Sequence, residues 1–358
     1  MLRGIIQFVL LVVIVYLLYH LVMQLPGGFN LSQLASLLNL NRSLNLSYPV
    51  IAPPNNYVPQ NQTIQYVLSL INNDRNAYGL ANVSYTNFSS AQQHSESMFQ
   101  NYYFSHWDIY GMKPYMRYTL LGGTGGVDEN VAYIYNSSGV NVLNALKQME
   151  YNMMYNDQQC CNNGHRDNIL TPQHNYISIG VAYNRTIIYL TEDFINNYIG
   201  WVYGTPAYGN GTGTVSLKGS MLPGYSLSTI EVSYDTPATN MTRGQLDNTS
   251  SYGLGQTIAG IGHSSNGEVF YFKNITTVNA TTYATQGQNF DVAFDMSKLV
   301  RTYGAGEYNI LVFLTNDTAN PDYCYTDSAG VRHCTSFIAS TYTIFINQSG
   351  QSYVPQNV

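Results

Sequence analysis

The sequence predicts an α+β protein in which a segment of helices and then strands precedes an all-β sandwich, with a transmembrane helix at the N-terminus. Three observations carry this prediction. They are an apolar run near the start, helical apolar spacing between about residues 62 and 156, and short alternating runs after residue 204. Helices followed by strands are typical of α+β domains. Hydrophobic residues make up 45% of the chain, which is ample for packed cores.

The composition restricts the classes of partner. Only 9% of the residues are charged, against about 25% in average soluble proteins. Tyrosine is abundant at 33 residues, and the formal net charge is -6. Because the chain has no basic patch, its sequence excludes nucleic acid as a partner.

The apolar run Ile5–Met23 predicts a membrane anchor. Its 19 residues contain no Asp, Glu, Lys or Arg, and as a helix they would rise about 28 Å, close to a hydrocarbon core of about 30 Å. A secretory signal usually has an apolar region of about 7–15 residues, so an uncleaved anchor is favoured. Arg3 predicts that residues 1–4 are cytoplasmic and that the bulk of the chain is extracellular. Arg3-Gly4 also resembles the processing site of archaeal pilin-like signals, and the run would then assemble into a filament.

Acceptor sites for N-glycosylation are spread over the exported part of the chain. Such sites also arise by chance in an Asn-rich sequence, but their distribution predicts a glycosylated cell-surface protein. The sites singled out here are Asn82, Asn136, Asn184 and Asn274.

The four cysteines form two groups. Cys324 and Cys334 flank the turn-rich loop "YTDSAGVRH" and are predicted to close it as a disulfide. Cys160 and Cys161 are adjacent, and a bond between them strains the peptide, so free thiols or a bond to another chain stay open. Since no CxxC pair exists, the sequence argues against a zinc site made of thiolates.

The remaining elements follow in order. Residues 24–61 are predicted to be a stalk, because prolines favour an extended spacer. Residues 62–203 read as a first domain, with helices in "IQYVLSLINNDRNAYGL", "SSAQQHSESMFQNYYF" and "VNVLNALKQMEYNMMYN" and strands in "YISIGVAYN" and "TIIYLTEDF". Residues 204–348 read as an immunoglobulin-like β-sandwich of seven or eight strands, and residues 349–358 as a tail.

Four polar residues of the first domain are candidates for one site: His106, Glu129, Glu150 and His165. They lie on separate predicted elements and could line one cleft. Imidazole is a common zinc ligand, and carboxylates can bind a metal, orient imidazole or activate water.

The order of the motifs resembles a known family. "INNDRNAYGL", "AQQHSESM", "YFSH", a Gly, an Arg, "DENVAY", a helix with Glu150, "GHRDNIL" and "IGVAY" follow one another between about Thr63 and Trp201. They resemble the prokaryotic branch of the CAP superfamily, the group of cysteine-rich secretory proteins, antigen 5 and plant pathogenesis-related proteins, also called the SCP domain.

The resemblance implies an α-β-α sandwich with a cleft that contains two His and two Glu. By motif, His106 and His165 are the implied metal ligands, usually for zinc, and Glu129 and Glu150 are the implied catalytic carboxylates. His94 lies on the preceding helix and is interpreted as structural.

Three further residues are predicted to support the site. Asp128 stands where the family usually has Gly, and it adds a carboxylate beside Glu129. Arg166 and Asn168 are predicted to fix the loop that carries His165, with the apolar pair Ile169-Leu170 anchoring it in the core.

The sequence departs from the pattern at the Ser that some members are proposed to use as a nucleophile. Tyr135 stands near that position, Ser137 and Ser138 lie in a sequon, and Asn162-Asn163 replace the residue before "GHR". These departures argue against a serine hydrolase.

Three functions therefore stay open. The first is a membrane-anchored extracellular protein whose cleft binds a divalent metal and a lipid or glycan. The second is a zinc-dependent peptide or ester hydrolase with Glu129 or Glu150 as general base. The third is a structural or adhesive cell-surface glycoprotein that contacts other surface proteins. Because no nucleophile accompanies the four site residues, the binding role is favoured over an enzyme.

Overall fold

A computed structural model describes residues 57–355, apart from residues 211, 250, 263, 266, 267, 270, 271, 273, 274, 317–323, 327–331 and 335. The predicted cytoplasmic tip, the predicted anchor and all but the end of the predicted stalk lie outside the described residues, as does Asn274. Within the described part, none of the helices has the length and apolar character needed to span a bilayer.

The first segment contains six helices and four strands among the described residues. They are α1 (Gln60–Ala77), β1 (Ser84–Tyr85), α2 (Ser90–Asn101), α3 (Pro114–Leu120), β2 (Gly126–Tyr135), α4 (Val142–Tyr155), α5 (Gln158–Cys161), α6 (Gly164–Leu170), β3 (Tyr176–Tyr183) and β4 (Ile187–Asn196). The strands form one sheet in the order β1-β3-β4-β2. Strand β4 is antiparallel to β2 and β3, and β1 is parallel to β3.

The sheet is covered by helices on both faces. Helices α1 and α4 bury residues such as Ile71 and Leu146 against Ile177 and Phe194 of the sheet. On the other face α2 lies so close that a Cβ at Gly180 would stand 2.1 Å from the backbone oxygen of Ala91. Only glycine fits there, and the three layers give the α-β-α arrangement that the resemblance implied.

The three predicted helices are confirmed, and the structure adds the short helices α3, α5 and α6. Helix α1 ends before Gly79, whose φ of +73° is typical of a residue just beyond a helix. Helix α4 begins after Asn141, whose side chain accepts a hydrogen bond from the backbone of Asn144. The stretch "GHRDNIL", interpreted as a loop, is the short helix α6. Two left-handed residues, Asn162 and Asn163, reverse the chain immediately before it.

The second segment is built mainly of strands. They are β5 (Ile199–Trp201), β6 (Ala207–Gly209), β7 (Thr214–Met221), β8 (Tyr225–Asp235), β9 (Gln256–Gly262), β12 (Thr276–Gln286), β13 (Asn289–Asp295), β14 (Gly306–Asn316) and β17 (Ser336–Ile346). Two short antiparallel pairs, β10 (Ser264–Ser265) with β11 (Glu268–Val269) and β15 (Cys324–Thr326) with β16 (Arg332–Cys334), and the helices α7 (Arg243–Leu246) and α8 (Ser297–Tyr303) complete the described part of this segment.

The long strands follow the order β17-β14-β8-β9-β12-β13-β7-β5, and β6 also pairs with β7. The two halves of this order enclose one core, in which Val232 and Ile310 from one half meet Val215 and Phe294 from the other. The β-sandwich is thus observed. A parallel pairing of β9 with β12 joins its halves into one sheet, whereas an immunoglobulin-like sandwich has two separate sheets.

The connection between β8 and β9, residues 236–255, lies against the first segment. The backbone N–H of Phe104 donates to Asp247, and the indole N–H of Trp107 donates to the carbonyl of Ser251. Residues Pro54–Val358 accordingly form one compact unit, and the second segment contributes to the surface around His106.

Candidate metal-binding cleft

A cleft of about 460 Å³ lies between β2, the α5–α6 turn and the β8–β9 connection. Three of the four candidate residues line it: His106, Glu129 and His165. The other lining residues are Asp128, Asn130, Cys160, Cys161, Gly164, Asn168, Ser251, Tyr252, Gly253 and Leu254.

His106 follows α2 and is held from several directions. Its Nδ1 lies 3.0 Å from Glu129 Oε1, and its backbone carbonyl accepts a hydrogen bond from Arg117. Its ring packs on the ring of Tyr252, with centroids 5.0 Å apart. Burial, assisted by the charge of Arg117, lowers the pKa of His106 to about 4. The imidazole is therefore neutral at pH 7, as a metal ligand must be.

Glu129 lies on β2 and is 2% exposed. Its Oε2 accepts a hydrogen bond of 2.6 Å from Arg117, and its backbone N–H donates to Tyr252 Oη. Asp193 is its partner on β4, and that carboxyl also accepts a hydrogen bond from Ser90. Burial raises the pKa of Glu129 to about 7 and that of Asp193 to about 8. Since Arg117 stabilises the Glu129 carboxylate, the proton of this pair resides on Asp193 at neutral pH.

Glu150 is not among the lining residues of the cleft. It is buried on α4 beside Glu192 of β4, and burial, with the charge of Glu192, raises its pKa well above the ordinary value. Asn130 donates to Glu192 over 3.4 Å, so this carboxyl pair lies on the sheet face opposite Glu129. The structure thus separates the two carboxylates that the resemblance groups together.

His165 lies at the start of α6. Its Nδ1 is 2.6 Å from Asp157 Oδ1, and its backbone N–H donates to Asp157 Oδ2 over 2.8 Å. The rings of His106 and His165 have centroids 6.4 Å apart. Each histidine therefore has Nδ1 against a carboxylate and faces the same cleft.

Of the three residues predicted to support the site, two line the cleft and one lies outside it. Asn168 donates to the side chain of Asn130 over 2.9 Å and lines the cleft. Arg166 donates to the Met154 carbonyl and to the hydroxyl of Tyr78, which ties α6 to α4 and α1. Asp128 lines the cleft with its side chain 49% exposed.

His94 lies behind the cleft. Its Nε2–H donates to the carbonyl of Ser105 over 2.8 Å, and the same atom is 3.8 Å from Glu129 Oε1. The side chain is 1% exposed, so His94 supports the segment that carries His106.

For one of the two cysteine pairs, the structure decides between the alternatives that the sequence left open. Cys160 and Cys161 are joined to each other, whereas free thiols or a bond to another chain had stayed open. The two residues are consecutive at the end of a four-residue helix. The backbones of Cys324 and Cys334 are directly paired between β15 and β16. Their bond stays a prediction.

Glycosylation also stays a prediction. Asn82 and Asn136 are exposed, and Asn184 is partly buried. The side-chain oxygen of Asn184 accepts hydrogen bonds from the backbone of Thr186 and Ile187, which shapes the turn before β4.

Sequence reasoning missed four residues of the site. Arg117 stands in the motif order but had no role assigned, and Asp193 lies in a strand that looked purely structural. Asp157 could have been recognised as an acidic residue at the end of α4, eight positions before His165. Tyr252 gives no local signal, because it lies 123 positions from Glu129.

Part of the chain is similar to known proteins. Residues 68–199 match the model of the family described as CAP, the cysteine-rich secretory protein family. Among solved structures, the chain is similar to an extracellular protein containing a SCP domain from Bacillus anthracis str. Ames. The two are 24% identical over 38% of this chain and 41% of that chain, with a TM-score of 0.30. This chain thus spans less than half the length of that protein. No curated protein matches the sequence.

Proposed function

We propose that this chain, whose residues 68–199 match the CAP family model, is an extracellular protein whose cleft binds one divalent metal ion between His106 and His165. Zinc is the expected ion, because imidazole is among its common ligands. The metal would present open coordination positions to a second ligand in the cleft.

One observation carries the proposal: each cleft histidine has its Nδ1 against a carboxylate. His106 contacts Glu129 and His165 contacts Asp157, at 3.0 and 2.6 Å. A carboxylate at one ring nitrogen fixes the tautomer and orientation of a metal-binding imidazole and makes its other nitrogen more basic. Both histidines are therefore prepared to bind an ion through Nε2.

The same contacts favour binding over hydrolysis. Both oxygens of Glu129 are engaged, by His106 and Arg117, so this carboxylate is suited to orient His106 rather than to activate water. Glu150 is buried away from the cleft. Asp128 is the lining carboxylate with the most exposed side chain and could supply one oxygen ligand.

The cleft favours a polar second ligand. Most of its lining side chains are polar, and Tyr252 offers an aromatic ring beside them. A glycan fits this lining better than a lipid does, because buried hydroxyl groups need hydrogen-bond partners.

The location belongs to the proposal as well. We propose that Ile5–Met23 anchors the chain with its N-terminus inside the cell and both folded segments outside. The support is the length and composition of the apolar run. Protease added to intact cells should digest the folded segments and spare the anchor; their full protection would contradict this topology.

Zinc titration of the purified, oxidised full chain tests the metal site. We expect one ion per chain and a loss of more than about 100-fold in affinity for His106→Ala and for His165→Ala, because each removes a ligand, whereas loss of a group that only orients a ligand costs about 10–100-fold. His333→Ala, on β16, is the matched control and should bind as the unmodified chain does. Equal affinity in all four proteins would refute the proposed site.

A further inference from the structure

The disulfide lies at one end of the cleft, beside His165. Cys160 and Cys161 close α5, and both line the cleft. The Cys160 sulfur is 3.5 Å from Asp157 Oδ1, the oxygen that contacts the His165 ring. Two sulfurs, one carboxylate and one imidazole are thus gathered on a single turn.

These four side chains have the spacing of a metal site. One ligand atom from each of Asp157, Cys160, Cys161 and His165 lies within 4.8 Å of the others. In a tetrahedral zinc site, bond lengths of about 2.0–2.3 Å place neighbouring ligand atoms about 3.3–3.8 Å apart. Small side-chain movements would therefore bring all four onto one ion.

We propose that reduction of the Cys160–Cys161 disulfide opens a second metal site, which takes a soft divalent ion such as zinc or cadmium. Asp157 and His165 complete its ligand set. Sulfur in a disulfide is a poor ligand, whereas thiolate selects zinc and related soft ions strongly. The redox state of the Cys160–Cys161 bond thus controls whether this four-residue site binds metal.

The chemistry balances with a dithiol as the reductant. The dithiol transfers two electrons and two protons to the disulfide, so the S–S bond breaks, two thiols form and the reductant becomes a disulfide. Binding of the ion then releases the two thiol protons to solvent. Cys160 is exposed and Cys161 is partly exposed, so a small dithiol can reach the bond.

The second metal site shares one ligand with the proposed His106–His165 site. His165 belongs to both sets, so occupation of one site changes the other. The inference does not require that the His106–His165 site be occupied, because His106 is absent from the second set.

Cadmium binding to the full chain tests this inference. Cadmium thiolate has an ultraviolet charge-transfer band, which reports sulfur ligation directly. We expect at most weak binding without this band in the oxidised chain. After reduction we expect one cadmium per chain with the band, and an affinity at least about tenfold higher because two thiolates join the site.

Three variants sharpen the result. Cys160→Ser/Cys161→Ser should abolish the band, whereas Cys324→Ser/Cys334→Ser should keep it. His106→Ala should also keep it, which separates this site from the proposed cleft site. The inference is overturned if the reduced chain shows no band, if the band survives in Cys160→Ser/Cys161→Ser, or if thiol titration finds both thiols free before reduction.

Discussion

Each side of the cleft has a histidine–carboxylate pair, but the two pairs are held by different structural elements. Glu129, which holds His106, is 2% exposed and hydrogen-bonds a buried arginine. Asp157, which holds His165, is also 2% exposed, but it lies between α4 and α5, and none of the α5 residues is buried. One ligand is therefore fixed by the sheet and the other by a short surface turn.

Because of this difference, we expect substitutions on the two sides of the cleft to have different effects on folding stability and on metal binding. Changes on the His106 side disturb a buried network that reaches both segments of the chain. Changes on the His165 side disturb mainly the position of one ligand. Binding depends on both sides, whereas folding depends chiefly on the first.

The largest effect is expected from Arg117→Ala. It removes the ion-pair partner of Glu129, the donor to the His106 carbonyl and one of two donors to the Met112 carbonyl, and loss of one partner of a buried ion pair costs about 3–5 kcal/mol. Urea unfolding measures the change. Arg166→Ala, on the other side of the cleft, is the control and should cost about 1 kcal/mol or less. Equal costs would contradict the comparison.

Substitutions of the two carboxylates Asp157 and Glu129 should have similar effects on zinc affinity but different effects on the free energy of unfolding. Asp157→Asn and Glu129→Gln should each weaken zinc binding about 10–100-fold, because both hold a ligand imidazole. We expect a larger drop in the urea midpoint for Glu129→Gln, which also loses its ion pair with Arg117, than for Asp157→Asn. Zinc titration and urea unfolding of the same oxidised samples provide both readings. An unchanged zinc affinity in both variants would remove the assigned role of these carboxylates.

Two buried carboxyls on the His106 side contribute to the pH dependence of stability, in addition to the Glu150–Glu192 pair and Glu307, whose pKa values are also raised by burial. Asp193 and Glu129 have folded pKa values of about 8 and 7, above their ordinary values because of burial. Groups with raised pKa contribute stability at low pH, and that contribution is lost as pH rises through the folded pKa. We expect the melting temperature to fall between pH 6.5 and 8.5, for a loss of about 1–3 kcal/mol.

Asp193→Asn is the control for this loss, because an amide carries no titrating proton. Its melting temperature should depend less on pH in the same interval. His106 opposes the trend only below its ordinary pKa of 6.5, since its folded pKa is about 4. A melting temperature that rises from pH 6.5 to 8.5 would contradict the assignment of a shared proton to Asp193.

The smallest effect is expected at the boundary between the two segments. Tyr252→Phe removes the hydroxyl that accepts the backbone N–H of Glu129 and should cost about 1 kcal/mol. The phenyl ring would still cover His106, so zinc affinity should change little. A loss of zinc binding in this variant would show that the hydroxyl itself belongs to the metal site.

The sequence predicted the three longest helices, the sandwich and five of the lining residues, because apolar periodicity and local motifs report short-range structure. It placed Glu150 in the site, since a motif does not say which face of the sheet a helix residue reaches. It missed Asp193 and Tyr252 because both act across strands or segments. Tertiary contacts of this kind have no local pattern, and only folding brings them together.

X-ray absorption at the zinc edge of the oxidised, zinc-loaded full chain tests the central claim most directly. Imidazole and sulfur ligands give distinct distances, about 2.0 and 2.3 Å. The account predicts two imidazole ligands, the remaining ligands being oxygen, with no sulfur. A spectrum that lacks imidazole, or one with sulfur in the first shell of the oxidised protein, would contradict a metal site formed by His106 and His165.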